Sequence, residues 1–134
     1  MKVSLPVFAL FVAATLGGCA ATSGTGTSAA ATAPASEGSA VALGQPVRAD
    51  DLVLTPIAVA EDSRCAEGTQ CIWAGRVVVT TQVDGPGWRE TLDLTATEST
   101  AVRDHGVILA TVTPERRQSV DIAPGDYRFT YIAE

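Results

Sequence analysis

The sequence predicts an all-β fold, a small Greek-key-like β-sandwich or open barrel of six to eight short strands, and three observations predict it. Val, Thr and Ile runs alternate with polar residues at a period of two. Clusters of Gly, Pro and Asp interrupt these runs at short intervals. Beyond the first twenty residues, no window sustains the 3.6-residue apolar period of an amphipathic helix.

Taken in order, Val53, Thr55, Ile57 and Val59 alternate with Leu54, Pro56 and Ala58, which reads as a strand. Pro56 has no N–H to give to a ladder, so it belongs at an edge or a bulge. Ile72 to Val83 reads as a second strand, ended by the turn Asp84-Gly85-Pro86-Gly87. The returning strand places Trp88, Glu90, Leu92 and Leu94 on one face and Arg89, Thr91, Asp93 and Thr95 on the other, a hairpin pattern. Val107 to Thr113 reads as a further strand stopped by Pro114, and Tyr127, Phe129 and Tyr131 alternate with Arg128 and Thr130 in the last. Ahead of it, Ile122-Ala123-Pro124-Gly125-Asp126-Tyr127 fits two readings equally. One is the tyrosine corner of a Greek-key sandwich, whose hydroxyl bonds upstream backbone; the other is a hairpin turn with a half-buried Tyr.

The N-terminus has a different character. Lys2 precedes an apolar run from Leu5 to Leu16, broken only by Pro6 and Thr15 and followed by Gly17 and Gly18. This is the layout of a secretory signal peptide, with an apolar stretch too short to span a bilayer. Its end, Leu16-Gly17-Gly18-Cys19, resembles the lipobox of bacterial lipoproteins. That resemblance implies cleavage before Cys19, acylation of its sulfur and new amino group, and attachment to a membrane through the N-terminal lipid. Ala20, where an Asp would retain such a protein at the inner membrane, favours the outer membrane and a periplasm-facing domain. Each buried CH₂ contributes about 0.8 kcal/mol, so several acyl chains anchor stably where one does not.

The chain of 134 residues then divides into a signal peptide at 1–18, a lipidated Cys19 with a flexible Ala/Ser/Thr/Gly linker at 19–40, and a β domain at 41–134. The linker cannot bury enough apolar surface to offset the entropy of ordering it. As a coil it would span roughly 25 Å. Without residues 1–18 there remain eight Arg, no Lys and fifteen acidic residues, a formal charge of −7. That balance argues against nucleic acid and anionic headgroups as partners.

Of the three cysteines, setting Cys19 aside for the lipid leaves Cys65 and Cys71, an even pair in an oxidising compartment. The expectation is a disulfide, stabilising the small domain by about 2 kcal/mol. A zinc site is not expected, because the only histidine, His105, has no nearby Cys or His to complete a set. A redox pair would normally be a Cys-x-x-Cys beside a helix start. The segment "EDSRCAEGTQCIWAG", followed by Arg76-Val77-Val78-Val79, is similar to the Asp-Ser-Arg-Cys-(Pro)…Cys-(Val/Ile)-Trp-Ala-Gly motif of a small uncharacterised domain of bacterial envelope proteins, often lipoproteins. "VILATVTPERRQSVDIAPGDYRFTYI" fits the tail of that domain, and Ala66 stands where it usually carries Pro. The resemblance, over residues 41–132, implies a β fold and export and no catalytic residues.

No catalytic constellation is legible. Asp50-Asp51 and Glu61-Asp62 read as solvated edges, and His105 beside Asp104 as a loop histidine, since sequence neighbours rarely meet in dyad geometry. No cofactor is implied. Arg64, Trp73 and Arg76, around the two cysteines, are the candidate interaction residues. Trp73 is expected chiefly to pack over the disulfide as core; alternatively the stapled loop presents Arg64 and its neighbours to a partner. The sequence thus points to a lipid-anchored envelope protein with a binding or structural domain for an envelope protein or glycan. The opposing possibility is a periplasmic enzyme or metal-binding protein using carboxylates gathered by the fold.

Overall fold

A computed structural model describes residues 32–134. Residues 1–31, which hold the expected signal peptide, the expected lipidation site Cys19 and most of the expected linker, lie outside the described residues. Seven strands form two antiparallel sheets. The first holds β1 (Val47–Ala49), β2 (Leu52–Asp62), β3 (Val77–Gly85) and β4 (Trp88–Thr95) in that order. The second holds β5 (Ser99–Val102), β6 (His105–Thr113) and β7 (Arg128–Ala133), with one turn of 3₁₀-helix at Pro124–Asp126 before β7. Hydrogen-bonded neighbours are successive in the chain throughout, so both sheets are meanders in place of the Greek-key order. Among the described residues no helix is long and apolar enough to cross a membrane.

Period-two alternation sets the core between the sheets. Val77, Val79 and Val83 on β3 face inward with Leu94 on β4, against Val107 and Leu109 on β6 and Phe129 and Tyr131 on β7, all buried. Thr81 is the buried polar member of this face, and its hydroxyl meets the Tyr131 hydroxyl at 3.0 Å, satisfying both groups inside the core. Burial pushes the Tyr131 phenol upward, with the Thr81 bond opposing weakly. On β2 the inward set is Leu52, Leu54 and Pro56, and Pro56 sits at a bulge: it pairs with Thr81 while Ala58 pairs with Thr80, leaving Ile57 as the extra residue. The expected turn joins β3 to β4, with Gly85 paired to Trp88 across Pro86 and Gly87. Gly87 takes φ 78°, which the third position of a type II turn requires.

Two further pairings bridge the sheets at their margins. At one, Ala35 bridges Val47 on β1, while Val41 and Phe129 on β7 exchange two backbone hydrogen bonds of 2.9 Å. At the other, Ala96 and Thr97, just past β4, meet Val77 and Leu109 through their backbone N–H groups. These contacts occupy sheet edges that would otherwise offer unpaired backbone groups. They also move the expected domain boundary. The linker was expected to run to residue 40, yet Gly38 donates to the Tyr131 carbonyl, and the Glu37 carboxylate accepts from the backbone N–H groups of Asp50 and Ala133. Glu37 is the single charged residue between 20 and 40, and the partners that order it come from opposite ends of the domain sequence.

Candidate functional site

The strand expected from Ile72 begins only at Val77. Residues 63–76 instead extend the β2–β3 hairpin as a loop, narrow at its base, where Ser63 donates to the Arg76 carbonyl at 2.8 Å and Cys65 to that of Ala74 at 3.1 Å. Gly75 makes this narrowing possible. It takes φ 70°, and a β-carbon there would lie 1.8 Å from the Ser63 carbonyl oxygen. Beyond the neck, Cys65 and Cys71 form the expected disulfide, with Cα atoms 5.9 Å apart.

The closed loop leans on the long connection between β6 and β7. Glu67 donates its N–H to the Arg116 carbonyl at 2.9 Å, and its carboxylate lies 3.8 Å from Arg117. Between loop and connection runs an open groove of about 390 Å³, lined by Glu67, Glu115, Arg117, Val120, Asp121 and Asp126 among others. Its carboxylates outnumber its one guanidinium. With the loop held on that side, none of the described residues covers those following Cys71. Ile72 is 91% exposed and Trp73 81% exposed, so Trp73 does not pack over the disulfide as core. At this end of the sandwich Tyr127 and Phe129 stack inside, with ring centroids 5.9 Å apart.

Arg64 also departs from the expectation that it faces a partner. Its side chain is 16% exposed, and its guanidinium is fully engaged within the domain. Nε and Nη2 donate to the two Asp62 carboxylate oxygens at 2.9 and 2.8 Å, Nη1 to the Val112 carbonyl at 2.9 Å, and Nη2 to the Pro114 carbonyl at 3.0 Å. The planar fork of arginine suits this bidentate arrangement. The Tyr127 hydroxyl donates to Asp62 Oδ2 at 2.8 Å, and Arg116 donates to the carbonyls of Asp62 and Arg64. Asp62 is thus a nearly buried hub, not a solvated edge, and Tyr127 finds a carboxylate where a tyrosine corner would use backbone. Burial pulls the Asp62 carboxyl upward, but the bonds from Arg64 and Tyr127 outweigh it and hold the group below the usual aspartate range. The same bond keeps Arg64 charged, while burial and the Asp62 carboxylate push the Tyr127 phenol up to about 12.

Arg76 remains on the surface at the neck, 3.0 Å from Glu61. The Ser63 hydroxyl and Arg76 together hold the Glu61 carboxyl below its ordinary value. Of the three candidates, then, Trp73 is free, Arg76 is exposed but paired, and Arg64 clamps the loop base. Ile72, expected in a strand, and Asp62, expected on a solvated edge, join the site as well. Asp62 and Arg64 are two apart on an extended chain and so share a face, which is the local signal for their pairing.

At the far end of β2 a different set meets. Asp50 and Asp51 form the β1–β2 turn, and His105, which opens β6 instead of lying in a loop, turns its Nε2 to within 3.5 Å of Asp51 and of Asp104. Comparison with protein-family models, with curated proteins and with solved structures returns no match for this chain. The described residues form a disulfide-stapled, two-sheet β domain with an exposed apolar loop tip at Ile72 and Trp73.

Proposed function

We propose that this chain is a lipid-anchored protein of the bacterial cell envelope, held to the outer membrane through Cys19 with its domain facing the periplasm. In this reading the domain is a binding module whose stapled loop offers Ile72 and Trp73 to an envelope protein or glycan. No catalytic role is assigned to it. The observation that carries the binding role is the exposure of an adjacent Ile and Trp on a loop braced by a disulfide and by the Arg64–Asp62 clamp. Large apolar side chains exposed together mark interaction surfaces, and tryptophan is enriched at the centres of such surfaces. A braced loop loses little conformational freedom when a partner binds. The anchor reading is supported by the apolar run from Leu5 to Leu16 and the lipobox-like Leu16-Gly17-Gly18-Cys19.

Two measurements test the two halves separately. Intact mass of the protein extracted from membranes should show three acyl chains on Cys19, and Cys19→Ser should release the chain from the membrane fraction. An unacylated mass would remove the anchor. A photo-crosslinking residue at position 73 should give discrete adducts in intact envelopes, abolished by Ile72→Ala, whereas the same probe at the exposed Glu98 should not. Equal labelling at 73 and 98 would remove the binding role.

A further inference from the structure

We propose that Asp50, Asp51 and His105 form a binding site for one divalent first-row transition-metal ion, at the opposite end of β2 from the stapled loop. Among the described residues these three bring one ligand atom each to within 4.8 Å of one another. They come from two separate turns. Asp50 and Asp51 are the two residues between the paired Ala49 and Leu52, and His105 is paired with Val102 across the Arg103–Asp104 turn of the other sheet. The packing of one sheet on the other therefore assembles the group. Glu37 fixes the first turn by accepting the Asp50 N–H.

The distances suit a shared ion as well as they suit an ion pair. His105 Nε2 stands 3.5 Å from Asp51 Oδ1, beyond the usual range for an N–H···O bond. Two ligands on one tetrahedral ion, each about 2.05 Å from it, lie about 3.4 Å apart. The Asp50 carboxylate offers an oxygen within 4.8 Å of the other two ligand atoms. The imidazole is mostly shielded, with 17% of its side chain exposed, while the Asp51 carboxylate is half-exposed and leaves room for water to complete the coordination. Two carboxylates balance the charge of a divalent ion, and Asp104 Oδ1, also 3.5 Å from Nε2, adds to the negative field. The neighbouring cation Arg103 is turned away, over the Trp88 ring at 4.5 Å and towards Glu90. An imidazole with carboxylates selects zinc or a neighbouring transition metal over calcium and magnesium, which take oxygen ligands alone. Carboxylates thus supply what Cys and His do not.

The test uses the untagged full-length chain, so that His105 is the only histidine present. Zinc titration followed by calorimetry and by the imidazole proton signals should show one ion per chain and a saturable shift of the His105 resonances. His105→Ala and Asp51→Asn should each weaken binding at least about tenfold, on the scale of losses at metal sites. Asp50→Asn gives a second reading, because Asn tolerates the positive φ of 55° at that position. Calcium at equal concentration should not displace zinc. Unmoved His105 signals at saturating zinc, or unchanged affinity in both Asp variants, would overturn the assignment. Displacement by calcium would reduce the group to an acidic patch and overturn it as well. The wild-type titration decides the matter even where a variant fails to fold.

Discussion

Arg64→Ala probes the clamp that sets the loop on the sandwich. The substitution removes four hydrogen bonds, two to Asp62 and two to the Val112 and Pro114 carbonyls. It also leaves the Asp62 carboxylate, 9% exposed, with Tyr127 as its remaining side-chain donor. Breaking a buried ion pair by removing one partner costs about 3–5 kcal/mol. Because Tyr127 persists and water reaches the vacated space, the lower end applies, about 3 kcal/mol. For a domain of this size that lowers Tm by roughly 12–24 °C. Urea unfolding followed by far-UV circular dichroism measures it. The double variant Asp62→Asn/Arg64→Ala should recover part of the loss, because no unpaired charge is then buried. A destabilisation below about 0.5 kcal/mol, the range of ordinary surface substitutions, would refute the clamp, and so would a double variant whose two losses simply add.

The same carboxylate gives a pH dependence. Asp62 has a depressed pKa in the fold, so its contribution is complete above the unfolded aspartate value of about 3.9 and is lost as pH falls through the lower folded value. Acid titration of stability should show this loss in the wild type and a shallower slope in Asp62→Asn; identical slopes would count against it. Replacing Cys65 and Cys71 by Ser should cost about 2 kcal/mol, the chain-entropy value for so short a loop, and unchanged urea midpoints would contradict that estimate. Gly75→Ala should destabilise by about 3 kcal/mol through its positive φ and the clash with Ser63, whereas Gly125→Ala, with open space around it, should lie within about 0.5 kcal/mol. Trp73→Ala should leave stability within the same narrow range, and acrylamide should quench Trp73 much more strongly than the half-buried Trp88; a large stability loss would place Trp73 in the core after all.

The two roles of the loop separate cleanly in these experiments. Arg64, Asp62, Tyr127 and the disulfide hold it in place, so their variants should move stability. Ile72 and Trp73 bear no such load, so their variants should move only what the loop touches.

By itself the sequence determined the all-β class, the β3–β4 hairpin with its faces, the inward Tyr127-Phe129-Tyr131 row and the Cys65–Cys71 bridge. Each depends on signals short in sequence: alternation at period two, a Pro-Gly turn, or two cysteines six positions apart. What the tertiary structure decided depends on partners distant in the chain. Trp73 reads as core because it is large, apolar and two residues from a cysteine, yet the loop's lean onto the β6–β7 connection leaves it outside. Arg64 looked like a surface cation until the Val112 and Pro114 carbonyls, some fifty residues away, took up its donors. Asp50, Asp51 and His105 converge only when the two sheets pack face to face. Burial and charge pairing are properties of the space around a side chain, and for these residues that space is built by the other sheet.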